Sequence, residues 1–373
     1  MRRLTITLLA ALAVLSVRQA SACTGITLRT ATGETVPART IEWAAGDLNS
    51  CYNIVPRGHV QRSLTPSGEH DGLRFTARYG YVGLSVEQPD FVVEGMNEAG
   101  LSAGLFYFPG YGAYEPYDAA LRDSTLSDLQ VVSWILGNFE SIDEMKRAIR
   151  HIHIVAVDPR GSTVHWRITE RSGRQVVLEI VNRELRFYEN TLGVLTNSPG
   201  FDWHLTNLNN YVNLRAGSVP SQQQQQQDGS PHSQQRVGGL NLSAFGGGSG
   251  LHGIPGDMTP PSRFVRAAFF QATAPKLSTT EQTVMQAFHI LNNFDIPTGI
   301  QFEESQQVPD IPSATQWTVA SDLSKRRIYY RTMYNSSVRC IDLNHIDFKK
   351  VKRQSAPLDE VKQEPVTTIK AAP

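Results

Sequence analysis

The chain has 373 residues, 40% of them hydrophobic, and its 35 basic side chains balance 35 acidic ones. That length and apolar content support a large buried core. A formal charge of zero gives no electrostatic case for nucleic acid or an anionic membrane as a partner.

Residues 1 to 22 read as an export signal. Arg2 and Arg3 open it, Leu4 to Val17 form an apolar run too short to span a bilayer, and Ala20-x-Ala22 offers small residues for cleavage. A cut after Ala22 leaves 351 residues, and because Arg2, Arg3 and Arg18 depart with the signal the balance becomes 32 basic against 35 acidic. The expected destination is the periplasm or the exterior. No later segment is apolar enough to cross a membrane.

The same cut makes Cys23 the first residue, so one residue would carry both a thiol and a free α-amine. An amine titrating near about 7.7–8.0 can take the proton of a thiol titrating near about 8.5 and return it to a leaving group. Two other readings compete. Ala20-Ser21-Ala22-Cys23 is close to a lipoprotein cleavage box, in which Cys23 would be acylated and serve as an anchor; Cys23 could also be structural. Against the box stand Ala20, where leucine is usual, and Arg18 and Gln19 between the apolar run and the cut. From this stretch alone nucleophile and anchor rank together. In an oxidising compartment Cys51 and Cys340 could pair, which sequence leaves open.

The mature chain opens with strands. Thr24 to Arg29 alternate, Gly33 and Glu34 turn, and Thr35 to Trp43 return, which brings Arg39 and Glu42 toward Cys23. On spacing alone that pair also fits an ordinary cross-strand ion pair. Leu73 to Val86 and Phe91 to Phe108 are further strand regions, the second turning at Asn97-Glu98-Ala99-Gly100. Phe106, Tyr107, Phe108 and Tyr111 could line an acyl pocket, or simply fill the core. A helix is expected over Leu126 to Gly137, and a second opens with the capping pattern Ser141-Ile142-Asp143-Glu144. Strands follow at His151 to Val157, Thr163 to Thr169, Gln175 to Val181 and Val194 to Asn197, before Pro199. Asn197 closes the last of these, placed to donate to an oxyanion or to make turn bonds. His151 and His153 lack a third metal ligand at useful spacing. Phe201 to Leu214, a helix starting at Ser262, and Gln282 to Asn292 read as helical. Between them lies the low-complexity insertion 217–239 with its run Gln222 to Gln227. Strands Gln316 to Val319, Arg326 to Tyr334 and Val338 to Leu343 close the domain. Residues 349–373, charged and proline-containing, are expected to fray. Strands, helices, strands, helices and strands with antiparallel hairpins suit an α+β fold of two sheets covered by helices.

In this order Cys23-Thr24-Gly25, Ala38-Arg39-Thr40-Ile41-Glu42-Trp43, Asn97-Glu98-x-Gly100-Leu101, Phe108-Pro109-Gly110-Tyr111, Val194-Leu195-Thr196-Asn197, Asn207-Leu208-Asn209-Asn210-Tyr211, Gly253-Ile254-Pro255-Gly256-Asp257 and Ser262-Arg263-Phe264 resemble the choloylglycine hydrolase family. That family contains the conjugated bile salt hydrolases and penicillin V acylases among the N-terminal nucleophile hydrolases. The resemblance spans nearly all of 23–345. It implies a four-layer αββα sandwich over 23–348 and hydrolysis of a linear, non-peptide amide in a small-molecule substrate, with no cofactor and no metal. It implies Cys23 as nucleophile, Arg39 as the cation favouring its thiolate, Asn197 and the Tyr107 backbone as the oxyanion site, and Arg263 as the helix arginine nearby. Tyr107 matches the tyrosine of typical penicillin acylases, where typical bile salt hydrolases have asparagine. Glu42 departs from the usual aspartate that bonds the nucleophile's amine. Trp43, Phe106, Phe108 and Tyr111 are the expected acyl-binding residues, and family analogy implies a homotetramer. The readings from other classes are a lipid-anchored, noncatalytic periplasmic binding protein and an assembly role for the glutamine-rich loop.

Overall fold

The computed structural model describes residues 21–43, 46–157, 162–218, 236–242, 247–301 and 311–371. The expected export segment up to residue 20 and the glutamine run lie outside these residues. No helix among the described residues is long and apolar enough to cross a membrane.

The chain starts as the predicted hairpin, β1 (Ser21–Arg29) against β2 (Thr35–Trp43), in a register that sets Cys23 opposite Ile41 and Gly25 opposite Arg39. Then come β3 (Cys51–Val55), β4 (Val60–Arg62), β5 (Arg74–Thr76), β6 (Tyr81–Ser85), β7 (Val92–Asn97), β8 (Ser102–Tyr107) and β9 (Thr125–Ser127). Helices α1 (Val131–Asn138) and α2 (Ile142–Ala148) lead to β10 (His153–Val155), β11 (Val164–Thr169), β12 (Gln175–Val181) and β13 (Glu184–Glu189). The short helix α3 (Phe201–Asn207) and the hairpin β14 (Arg236–Val237) and β15 (Leu240–Asn241) precede α4 (Pro260–Thr273) and α5 (Thr280–Leu291). The chain ends through β16 (Thr315–Asp322), β17 (Arg327–Thr332), β18 (Asn335–Asp342) and β19 (Gln354–Pro357).

Two sheets carry the fold, one in the order β1-β2-β16-β17-β18 and one in the order β13-β12-β11-β8-β7-β6-β3-β19. Helices α4 and α5 cover the first, and α1 covers the second against β7 and β8. The layers are therefore αββα. Strands in the middle of such a stack are covered on both faces, so even their polar side chains are buried; β11 and β16 are buried along their whole lengths. The sheets are joined by charge as well as by packing. From β2, Arg39 donates to the carbonyls of Leu105 and Val93 in the opposite sheet, and from β11 Arg167 donates to those of Ile26 and Ala38.

Three expectations change. The helix predicted from Leu126 begins only at Val131, because Ser63 Oγ accepts the Ser127 amide (2.8 Å) and the Gln130 side chain accepts from Leu64 N (2.7 Å), holding Thr125–Ser127 extended. The helix predicted to Leu214 ends at Asn207 and passes into a 3-10 turn over Leu208–Tyr211. The tail expected to fray contributes β19, paired antiparallel with β3, and Leu358 is buried beyond it. Ion pairs Arg339–Asp359 and Lys362–Asp47, each at 2.6 Å, pin the stretch beyond Leu358. Removing residues 350–373 is therefore expected to lower the melting temperature by about 5 °C and to promote association through the bared β3 edge. Calorimetry and light scattering check this; an unchanged melting point would refute it. Cys51, in one sheet, and Cys340, in the other, are both free thiols.

Candidate active site

Cys23 lies buried near the start of β1, with Arg39 reaching it from the neighbouring strand: Nη2 is 2.8 Å from Sγ. A cation at that distance favours a thiolate. Burial is the larger influence and pushes the thiol up; Arg39, the Tyr107 backbone N–H and Arg263 act against it, whereas Glu42 adds to it. Arg39 is fixed on several sides. Its guanidinium lies 4.1 Å from the centroid of the Phe106 ring, and Glu94 is 3.8 Å away, shared with Arg167 at 3.5 Å. Gly25 leaves the room this needs, since a Cβ there would stand 2.9 Å from both Phe106 and Arg167.

Asn197 arrives on the segment after β13, where Leu195 bridges to Gly25. Its Oδ1 accepts from Cys23 N at 2.9 Å and from Arg263 Nη2 at 2.7 Å. Two donors on that oxygen settle the amide orientation, so Nδ2 points the other way, toward Tyr107 O at 2.7 Å. Nδ2 has two hydrogens, and one of them is used there.

Arg263 is supplied by α4. The preceding Gly253–Asp257 loop ends in a carboxylate that accepts from Thr259 N and Ser262 Oγ, and Arg266 donates to the Pro255 and Asp257 carbonyls. That loop sets the helix start, and Arg263 then reaches Cys23 O, Thr24 Oγ1 and Asn197 Oδ1. Glu42, opposite Ala22 in the hairpin register, is buried and accepts from Thr315 Oγ1 at 3.3 Å. Burial raises its carboxyl to about 7 although Arg263, Thr40 and Arg39 pull it down.

Cys23, Arg39, Glu42, Tyr107, Asn197 and Arg263 are thus brought to one place. The aromatic wall is corrected in part. Phe106 and Phe108 are fully buried, Phe106 under Arg39 and Phe108 stacked on His165 with ring centroids 4.4 Å apart. β8, which carries Phe106, lies between the first sheet and α1, and Phe108 just beyond it is covered by His165. Tyr111 is 53% exposed, and Trp43 is half-buried at the end of β2. Among the described residues no group of three metal ligands occurs, at His151 and His153 or elsewhere. Sequence reading missed Glu94 and Arg167. Their signal was a charge beside apolar residues, Glu94 after Val93 and Arg167 between Trp166 and Ile168, informative only once both faces of the strand are known to be covered.

The model of the linear amide C–N hydrolases, choloylglycine hydrolase family, matches residues 23–359. The chain belongs to the choloylglycine hydrolase family. It is 32% identical over 338 residues to a bile salt hydrolase/transferase of Clostridium perfringens, covering 88% of this chain and 95% of that one. A bile salt hydrolase/transferase of Lactiplantibacillus plantarum is 32% identical over 321 residues, covering 83% and 90%. A mutant conjugated bile acid hydrolase from Clostridium perfringens superposes with a TM-score of 0.78 at 29% identity, over 93% of this chain and 100% of that one. The penicillin V acylase of Agrobacterium tumefaciens, at 24% identity, shares the fold with a TM-score of 0.68 over 91% and 93%. As a choloylglycine hydrolase family member the chain is a hydrolase acting on linear amides, with the N-terminal nucleophile hydrolase fold.

Proposed function

We propose that the chain is exported, begins at Cys23 once mature, and cleaves the amide of a small acylated substrate of the penicillin V kind. The observation that carries the mechanism is the position of Cys23 N. It stands 2.9 Å from Asn197 Oδ1 and belongs to the same residue as the thiol that Arg39 contacts. Freed by cleavage, that nitrogen becomes the base. It takes the thiol proton, and the sulfur adds to the amide carbonyl. The oxyanion is held by Asn197 Nδ2 and the Tyr107 N–H, and the ammonium returns the proton to the departing amine. Water then attacks the thioester with the amine again as base, restoring thiol and amine. Glu42 would hold the ammonium.

Tyr107 favours an acylase preference. The 32% identity to bile salt hydrolase/transferases favours a second reading, cleavage of conjugated bile salts. Intact mass and N-terminal sequencing of protein recovered from the periplasm, followed by kcat/KM on penicillin V, an N-acyl homoserine lactone and a glycine-conjugated bile salt, test the proposal. An unmodified Cys23 terminus and the highest kcat/KM on penicillin V are expected. A bile salt preference would replace the substrate reading. A diacylglyceryl Cys23 with no cleavage would replace the enzyme by an anchored binding protein.

A further inference from the structure

Two buried histidines outside the catalytic set converge on the backbone at Thr196 and Asn197. His165, on β11, places Nε2 3.2 Å from Thr196 O, and His204, on α3, places Nε2 2.9 Å from Asn197 O. Successive carbonyls are thus each met by one imidazole. Both acceptors are carbonyl oxygens, so each Nε2 carries the hydrogen. The two rings are tied together, because Glu179 Oε1 meets His165 Nδ1 at 3.1 Å and accepts the Phe201 amide at 2.9 Å, at the start of the helix that carries His204.

Each imidazole also lies flat on a phenylalanine: His165 on Phe108 at 4.4 Å, and His204 on Phe264 at 4.5 Å, both with an interplanar angle of 8°. Phe108 follows Tyr107, whose carbonyl accepts from Asn197 Nδ2. Phe264 follows Arg263, which donates to Asn197 Oδ1. Together the two rings therefore meet the carbonyls of Thr196 and Asn197 and the chain neighbours of both groups that orient the Asn197 amide. A buried histidine that only fills space has no reason to meet all of these.

We propose that His165 and His204 are positioning residues that brace Asn197, so that its amide stays aimed at the oxyanion. This rests on the amide-hydrolase reading above. The brace holds a donor rather than the thiol, and a misplacement of about 1 Å in such a donor costs about 100-fold in rate. Burial pushes His204 down to about 4, so over the neutral range it keeps the single Nε2 hydrogen that the carbonyl requires.

Glutamine and asparagine replacements separate the brace from packing. A glutamine amide reaches roughly where Nε2 stood, whereas an asparagine amide stops near Nδ1. For His165→Asn and His204→Asn, kcat is expected to fall about 10- to 100-fold, with KM and the rate of Cys23 alkylation by iodoacetamide within about twofold of wild type. His165→Gln and His204→Gln should recover most of kcat. Where an asparagine variant does not fold, the leucine variant takes its place. The brace is overturned if kcat stays within threefold in the asparagine variants, if it falls only in step with the alkylatable thiol, or if glutamine restores nothing. A wild-type protein that cleaves none of the three amides overturns the underlying reading instead, and the brace with it.

Discussion

Replacing Cys23 by serine is expected to lower amide turnover by about 10³-fold or more while leaving the fold in place. In the proposed mechanism the reaction starts with a proton that a weak base removes. Burial pushes the thiol up, so Arg39 at 2.8 Å, the Tyr107 N–H and Arg263 must act together to keep the thiolate within reach of an amine titrating near about 7.7–8.0. A serine hydroxyl lies far above that reach with the same neighbours. One sulfur exchanged for oxygen changes little volume, so the melting temperature should move by no more than about 2 °C. The pH profile carries the sign of the mechanism. The base must be unprotonated to start, so wild-type kcat/KM should fall about tenfold per unit as pH drops below the amine's titration. Kinetics and thermal unfolding of Cys23→Ser check both halves; undiminished turnover in the variant would remove Cys23 from the reaction.

Much of this was legible in sequence, for identifiable reasons. Gln175–Val181 was predicted to the residue because β-branched and apolar side chains bounded by turn residues have few other places to go. Arg39 and Glu42 were placed near Cys23 because a hairpin of equal arms forces that juxtaposition. The losses are just as physical. Cys51–Val55 is a short strand interrupted by a buried asparagine, Glu184–Glu189 carries three charged residues, and Gln354–Pro357 is a strand only because β3 offers it an edge. Glu94, Arg167, His165 and His204 read locally as solvent-facing polar residues. Their burial follows from how the sheets and helices stack, and no window of a single element records it. The same blindness made Phe106 and Phe108 look like pocket wall, although both rings serve polar partners inside the core.

Arg263→Met should be the most damaging single change outside the nucleophile. The guanidinium is fully buried and donates to Met258 O, Cys23 O, Thr24 Oγ1 and Asn197 Oδ1. Methionine matches the stem but supplies none of these donors. Asn197 Oδ1 then keeps only the Cys23 nitrogen, and the amide loses the second contact that fixes its orientation. Glu42 loses the strongest influence pulling its carboxyl down, so a group already raised to about 7 moves higher and stays protonated through the neutral range. A neutral Glu42 cannot balance the ammonium that the mature chain would place beside it. Breaking such a buried set by removing one partner costs about 3–5 kcal/mol, or roughly 5–10 °C in melting temperature for a chain of this size. Turnover should fall by a further 10²- to 10³-fold or so through the misaligned oxyanion donor. Lysine should rescue the charge without the fork, recovering stability more than rate, because a single ammonium cannot reach Cys23 O and Asn197 Oδ1 together. Denaturant unfolding and kcat for the methionine and lysine variants, measured side by side, read the two effects apart. A methionine variant with wild-type kcat would show that Asn197 is oriented without Arg263.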